Sequence, residues 1–144
     1  MELQFEKATI KDIEEIYALN RNLIHTYEDI DHIDLEKVIA WVYRKIKTHI
    51  DAYQRVLMDG KLVGYYHFYL SGEVMELDDL YIYPDYQGLG IGTKIIKKCC
   101  AQTSLPIVLY VFSKNERAWK LYQRLGFRII SHIGKTRYLM RYDP

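Results

Sequence analysis

Apolar positions along this chain follow two periods, and the change from one to the other marks its organisation. Between residues 9 and 48 they recur at three- and four-residue intervals, the spacing that lines one face of an α-helix. Thr9-Ile10-Lys11-Asp12 reads as a helix start, with Thr9 as cap and an acid three residues on; Ile13, Ile16, Tyr17, Leu23 and Ile24 form the stripe that follows. A second helix is expected over 34–48, capped by Asp34 and striped by Leu35, Val38, Ile39, Val42 and Ile46. Beyond His49 the character changes to that of strands. Residues 53–58 and 61–70 are rich in Tyr, Val and Leu and are joined by Asp59-Gly60, a two-residue hairpin signal. Ser71-Gly72 marks a further turn, and 73–83 reads as a third strand that Pro84 ends.

A first strand over 3–8 precedes the helices. After the meander a glycine-rich turn leads into a helix over 91–103, with Ile91, Ile95, Ile96 and Cys99 on one face. Residues 107–112 form a short buried strand, Asn115 and Gly126 bracket a last helix as cap and stop, and strands over 127–133 and 136–142 finish the chain. The order β-αα-βββ-α-β-α-ββ predicts an α/β fold of the α+β type, with one mixed, mostly antiparallel sheet flanked by helices. No repeat, low-complexity tract or Pro/Gly/Ser linker interrupts it, so residues 1–144 are expected to form a single domain.

Composition narrows the class. Twenty Lys+Arg against 19 Asp+Glu leave a formal charge of +1, which argues against a strongly basic nucleic-acid binder. No run approaches the ~18 consecutive apolar residues of a membrane helix, and the N-terminus lacks a basic-then-apolar leader pattern, so neither nucleic acid nor membrane is an expected partner. The two cysteines, Cys99 and Cys100, are adjacent and build no disulfide framework; a reducing, cytoplasmic setting is the expectation. Five scattered histidines show no metal-ligand spacing, so no metal is expected. Fourteen tyrosines beside four phenylalanines show a preference for the aromatic that carries a hydroxyl.

Candidate chemistry concentrates in Tyr86-Gln87-Gly88-Leu89-Gly90-Ile91-Gly92-Thr93, between a strand and a helix. Three alternating glycines let the backbone curl so that several N–H groups point to one spot at a helix N-terminus, an anion site suited to a pyrophosphate. The common nucleotide motifs do not fit. Thr93 separates Gly92 from Lys94 where a P-loop needs Gly-Lys-Ser/Thr, and a dinucleotide fingerprint counted from Gly88 meets Thr93 in place of its last glycine. Taken alone, the turn could equally serve only tight packing.

Gln87-x-x-Gly90-x-Gly92, following Leu80-Tyr81-Ile82-Tyr83-Pro84, resembles the acetyl-CoA-binding motif of the GNAT N-acetyltransferase superfamily. Asn115-x-x-Ala118-x-x-x-Tyr122-x-x-x-Gly126-Phe127 resembles that family's second signature. The close match covers about residues 76–127, and residues 1–70 match as topology. The resemblance implies that Leu80, Tyr81 and Ile82, on a strand that splays from its neighbour, pair through their backbone with the pantetheine arm of acetyl-CoA. It implies that Gln87, Gly88, Leu89, Gly90, Ile91 and Gly92 wrap the pyrophosphate, with Thr93 the next hydroxyl and Asn115 a side-chain contact. Acetyl-CoA is thus the expected co-substrate, and a homodimer is left open because many members of the family are dimers.

Two proton-handling roles follow from the same resemblance. Tyr122 matches the family's general acid, whereas read from the residues alone it is a core aromatic at helical spacing with Leu121 and Leu125. Glu76, four residues before Leu80, matches the position of a catalytic glutamate; its alternative is a solvated strand carboxylate. Asp78 is the reserve candidate, on the same face as Glu76 unless a bulge intervenes. Five acids lie between His25 and Glu36 (Glu28, Asp29, Asp31, Asp34, Glu36) and five between Ser71 and Tyr86 (Glu73, Glu76, Asp78, Asp79, Asp85), with no Lys or Arg in either stretch. Converging at the acceptor site, they would attract a cationic amine such as a polyamine, a lysine side chain, a peptide amine or a small basic compound; otherwise they are caps and solvated faces. Tyr27, Tyr65, Tyr66 and Trp41 could line that pocket or belong to the core. The expected activity is acetyl transfer to a primary amine by direct attack, making the protein an acyltransferase. The alternatives are a CoA-binding sensor without catalysis and a transferase for another acyl group.

Overall fold

A computed structural model describes residues 2–144. Its elements follow the predicted order: β1 (Leu3–Lys7), α1 (Ile13–Tyr27), α2 (Leu35–His49), β2 (Tyr53–Met58), β3 (Lys61–Ser71), β4 (Val74–Ile82), α3 (Ile91–Ala101), β5 (Ile107–Phe112), α4 (Glu116–Arg124), β6 (Arg128–Ile133) and β7 (Arg137–Tyr142). The strands form one seven-stranded sheet in the order β1-β2-β3-β4-β5-β7-β6. Every neighbouring pair is antiparallel except β4 and β5, which run parallel. Among the described residues no helix is long and apolar enough to cross a membrane.

Local chemistry accounts for most boundaries. Thr9 accepts from the Lys11 amide while Asp12 Oδ2 accepts from the Thr9 amide at 2.9 Å, a reciprocal cap that starts the turn leading into α1. Asp34 caps α2 through the Lys37 amide. Asp59 and Gly60 both adopt positive φ, 53° and 77°, the pair of left-handed residues that lets a two-residue turn match strand twist. Gly126, at φ 100°, ends α4: its own N–H bonds the Gln123 carbonyl and the next, Phe127, bonds that of Tyr122. At the other end of α4 the expectation needs correcting. The Asn115 side chain makes no capping bond; its carbonyl accepts from Ala118 and Trp119 instead, and the side chain is left for the cleft described below. The third helix also ends at Ala101, two residues earlier than its apolar stripe suggested.

Apolar side chains are buried on both faces of the sheet. One cluster joins Val56, Val63, Tyr66 and Leu77 to Ile91, Ile95 and Ile96 of α3 and is closed by partly buried residues of α4. The other packs Ile16, Ile24, Val42 and Ile46 of α1 and α2 onto Tyr53 and Tyr65. Neighbours on β3 thus serve opposite layers, Tyr65 one and Tyr66 the other, as the period of two requires.

One glycine sets the distance between β3 and β4. A Cβ on Gly64 would lie 2.1 Å from the Tyr81 carbonyl oxygen, a backbone atom that cannot rotate away. Gly64→Ala is expected to force the strands apart and destabilise the fold by about 1–3 kcal/mol, read as a lower urea midpoint with an unchanged slope.

Candidate active site

The site exists because β4 and β5 pair only briefly. Their register holds at Met75↔Ile107 and Glu76↔Val108 and goes no further. Beyond Glu76 the strands part and open a cleft of about 930 Å³ between Leu77–Ile82 on one side and Leu109–Phe112 on the other. Side chains from α1 and α2, among them Ile24, Tyr27 and Trp41, close it on one side; the turn before α3 and the inner face of α4 close it on the other. A strand with no partner on one edge presents N–H and C=O groups that an extended ligand can complete.

At the glycine end, Gly88 and Gly90 are left-handed, at φ 77° and 81°, and Gly90 stands at the N-terminus of α3. Adding a Cβ at Gly88 would bring it to 3.3 Å from the Arg117 guanidinium, and one at Gly92 to 3.6 Å from Leu121, so the missing side chains bring backbone, helix α4 and a cation close together. Gln87 Nε2 donates to the Ile82 carbonyl at 2.9 Å, tying the turn to the strand and occupying one acceptor on the open edge. Of the residues expected around a cofactor, Leu80, Tyr81, Ile82, Gln87, Gly88, Gly90, Ile91, Gly92, Thr93 and Asn115 line the cleft; Leu89 does not, being half-exposed. Arg117, Arg124 and Arg137 line the same cleft and were not anticipated. Arg117 and Arg124 are seven residues apart on α4, a two-turn spacing that places both on one face and was readable once that helix was assigned.

Tyr122 lies in the last turn of α4, on the cleft wall. Its ring is enclosed by neighbours on most sides yet keeps surface toward the cleft, and burial pushes its hydroxyl up to about 12. Such a phenol is protonated throughout the neutral range.

The opposite end is acidic, and its shape comes from a bulge. On β3, His67 pairs with Asp78 and Tyr65 with Tyr81, so Tyr66 faces two residues, Asp79 and Leu80. Asp79 takes the extra position with φ 54°, a left-handed conformation that aspartate tolerates better than most residues. Consecutive side chains that would otherwise alternate now both reach α2: Lys45 Nζ is 2.9 Å from Asp78 Oδ2 and 3.5 Å from Asp79 Oδ2. Asp79 also accepts from the hydroxyls of Tyr53 and, at 3.0 Å, of Tyr81. Below the pair, the buried His67 imidazole lies between the rings of Tyr53 and Tyr69, with centroids 4.5 Å away on each side. Its Nδ1 is 3.9 Å from Asp78 Oδ2, within reach of a charge interaction but too far for a hydrogen bond, and has no hydrogen-bond partner among the described residues.

Charge is distributed unequally here. Burial raises Asp79, and the neighbouring Asp78 charge adds to it, outweighing Lys45 and the tyrosine bonds. Asp78 is also pushed up by burial, but His67 and Lys45 prevail and hold it below the usual carboxylate range. Burial lowers Lys45, and the two aspartates more than compensate, leaving it raised. Glu76 is raised, chiefly by burial, against a bond from Tyr69. It stands at the last β4–β5 pair and does not line the cleft; Asp78 does. The two acidic stretches converge only in part, since Glu28, Asp78 and Asp79 line the cleft while Asp34 caps α2 and Asp29 pairs with His32. Tyr27 and Trp41 line it as well, whereas Tyr65 and Tyr66 are core.

The sequence pattern of the acetyltransferase (GNAT) family matches residues 10–127, and the chain belongs to that family. Among curated proteins it is similar to bovine thialysine N-epsilon-acetyltransferase, 38% identical over 78 residues that cover 45% of this chain and 44% of that protein. The mouse protein of the same name is 40% identical over 78 residues, covering 45% and 44%. The match thus spans less than half the length of these curated relatives. The fold is shared with PaiA N-acetyltransferase from Thermoplasma acidophilum in complex with coenzyme A, at TM-score 0.70, 20% identity and full coverage of both chains. It is shared also with an acetyltransferase from Thermus thermophilus, at TM-score 0.72 and 22% identity, covering 98% of this chain and 96% of that one.

The Lys45–Asp78 pair has a definite pH signature. A carboxylate whose folded pKa lies below its unfolded value stabilises the fold above that unfolded value and ceases to do so as pH falls through the folded one. Asp78→Asn is expected to cost about 2–4 kcal/mol near pH 7 by leaving Lys45 short of its closest partner. The difference from the parent protein should shrink as the pH falls below the ordinary carboxylate range, as followed by thermal melts between pH 3 and pH 8.

Proposed function

We propose that this protein transfers the acetyl group of acetyl-CoA to a primary amine of a cationic acceptor, by direct attack of the amine on the thioester. The observation that carries this reading is the unpaired edge of β4, which runs from an acidic pair at one end to a glycine turn at a helix N-terminus at the other, past a protonated tyrosine. The chemistry of the donor set suits coenzyme A: backbone amides and a helix terminus for the pyrophosphate, Arg117 and Arg124 for further phosphate charge, and an extended edge for the pantetheine arm.

In this reading the chain's own groups divide the work. Backbone amides of the parted strand near Leu80 and Ile82 orient the thioester and polarise its carbonyl. Asp78 holds the acceptor ammonium and takes its proton, because it is on the cleft wall; Glu76, two residues behind and with its pKa raised, acts only through Asp78 or water. As the carbon–nitrogen bond forms and the carbon–sulfur bond breaks, Tyr122 supplies a proton to the departing sulfur, and the proton released by the amine balances it. The acceptor class is supported by Glu28, Asp78 and Asp79 in the cleft, and by relatives named for acetylating the ε-nitrogen of thialysine.

The decisive experiment is a screen of amines with detection of free CoA, led by diamines, polyamines and lysine peptides; turnover with none of them, alongside tight acetyl-CoA binding, would favour a sensor. Acetyl-CoA at 100 times its Kd is expected to stabilise the protein by about 2.7 kcal/mol, and an unmoved melting temperature would end the cofactor assignment. Tyr122→Phe should lower kcat by about 10²-fold or more with little change in the KM for acetyl-CoA.

A further inference from the structure

The acidic end of the cleft is already occupied by a side-chain ammonium of this chain. Lys45 Nζ sits on Asp78 at 2.9 Å and on Asp79 at 3.5 Å. It is the same chemical group, on an alkyl stem, that a primary-amine acceptor would bring to the same carboxylates. Two amines cannot both make a close contact to Asp78 Oδ2 in the position that Lys45 now holds.

We propose that Lys45 is a resident ammonium in the acceptor subsite, holding on Asp78 and Asp79 the place that the acceptor's cationic nitrogen takes, so that an acceptor binds by displacing it. This rests on the reading of the cleft as an amine-acetylating site, and it names the residue of that site that sets acceptor affinity.

Three observations support displacement over a permanent structural pair. Lys45 has somewhere to go: it lines both the cleft and a separate hollow of about 410 Å³ on α2, bordered by Trp41, Arg44, Thr48 and His49. It has a second attraction on that side, since its Nζ is 5.4 Å from the ring centroid of Trp41, which is 56% exposed; Arg44 opposes the move as a like charge. Finally, the acidic pair has an unmet partner beneath it. His67 is 2% exposed and outside the cleft lining, and its Nδ1, without a hydrogen-bond partner, lies 3.9 Å from Asp78 Oδ2, so the acidic pair keeps a polar neighbour beneath it when Lys45 leaves.

The test needs no turnover and uses 1,4-diaminobutane as probe, with calorimetry at low salt on the parent protein, Lys45→Met and Lys45→Arg. Lys45→Met should bind the diamine at least tenfold more tightly, and Lys45→Arg, which keeps a cation on the pair, should bind it like the parent. Equal or weaker binding by Lys45→Met, or no saturable binding to any of the three, overturns the proposal. The diamine should also raise the melting temperature of Lys45→Met more than that of the parent, because it replaces the missing cation. Should Lys45→Met fold too poorly to use, the parent protein answers alone: the diamine should raise the ratio of Lys45 to exposed Lys97 reductive methylation several-fold, read by peptide mass mapping, a ratio that cancels the formaldehyde the diamine itself consumes. An unchanged or lowered ratio overturns the idea. Failure of acetyl-CoA to bind would end the acetyl-transfer reading and leave these amine measurements still readable.

Discussion

The cleft depends on one event in the sheet: β4 and β5 pair at two positions and then separate. A parallel strand that loses its neighbour leaves a row of backbone donors and acceptors without partners, a cost that folding tolerates only if something else is served. Here the separation is supported from both sides. On β3, the absence of a side chain at Gly64 lets the Tyr81 carbonyl come close and anchors β4 to its other neighbour. On the far side, β5 is held along its length by β7, with six register pairs from Ile107↔Tyr142 to Phe112↔Arg137. Neither strand has to bend back toward the other, so the gap is a stable feature of the fold and not a frayed end.

The bulge at Asp79 is the second consequence of that strand's position. An extra residue on β4 turns two consecutive carboxylates to one face, where a strict alternation would have sent one into the apolar layer beneath α3. Carboxylates this close require compensation, and it comes from tyrosine hydroxyls as well as Lys45. The same arrangement recurs elsewhere. Tyr65 donates to Asp12 at 3.0 Å, Tyr83 to Glu15 at 2.7 Å and Tyr43 to Glu14 at 2.9 Å. The abundance of tyrosine over phenylalanine is therefore in large part a way of holding carboxylates at the edge of apolar clusters, with the ring buried or half-buried and the hydroxyl donating. Tyr122 is different in kind: its hydroxyl shift comes from burial alone, with no charged partner contributing.

Much of this was legible before any coordinates. The capping box at Thr9 and Asp12, the Asp59-Gly60 turn and the Gly126 stop are short-range signals whose physical cause lies within a few residues, and each is found where it was read. The glycine turn was legible for the same reason. Asn115 shows the limit of that logic: its residue type suits a helix cap, but the backbone caps α4 without it and the side chain lines the cleft. Glu76 shows another. Its spacing from Leu80 made it the leading carboxylate, yet the strands part just beyond it, and the cleft wall begins one residue later.

By itself, then, the sequence determined the elements, their order, the anion-suited turn and the family resemblance, because periodicity, caps and turn residues act over distances of a few positions. Only the tertiary structure decided which carboxylates share a face and what cation they meet. A bulge shifts every later side chain by one position, and nothing in the local pattern of β4 fixed where it would fall. Lys45 reaches Asp78 across 33 positions of chain because α2 packs on the sheet face that carries Tyr53 and Tyr65, a placement set by the burial of Val42 and Ile46 and not by any feature of the lysine. The chemistry of the acidic end belongs to that packing.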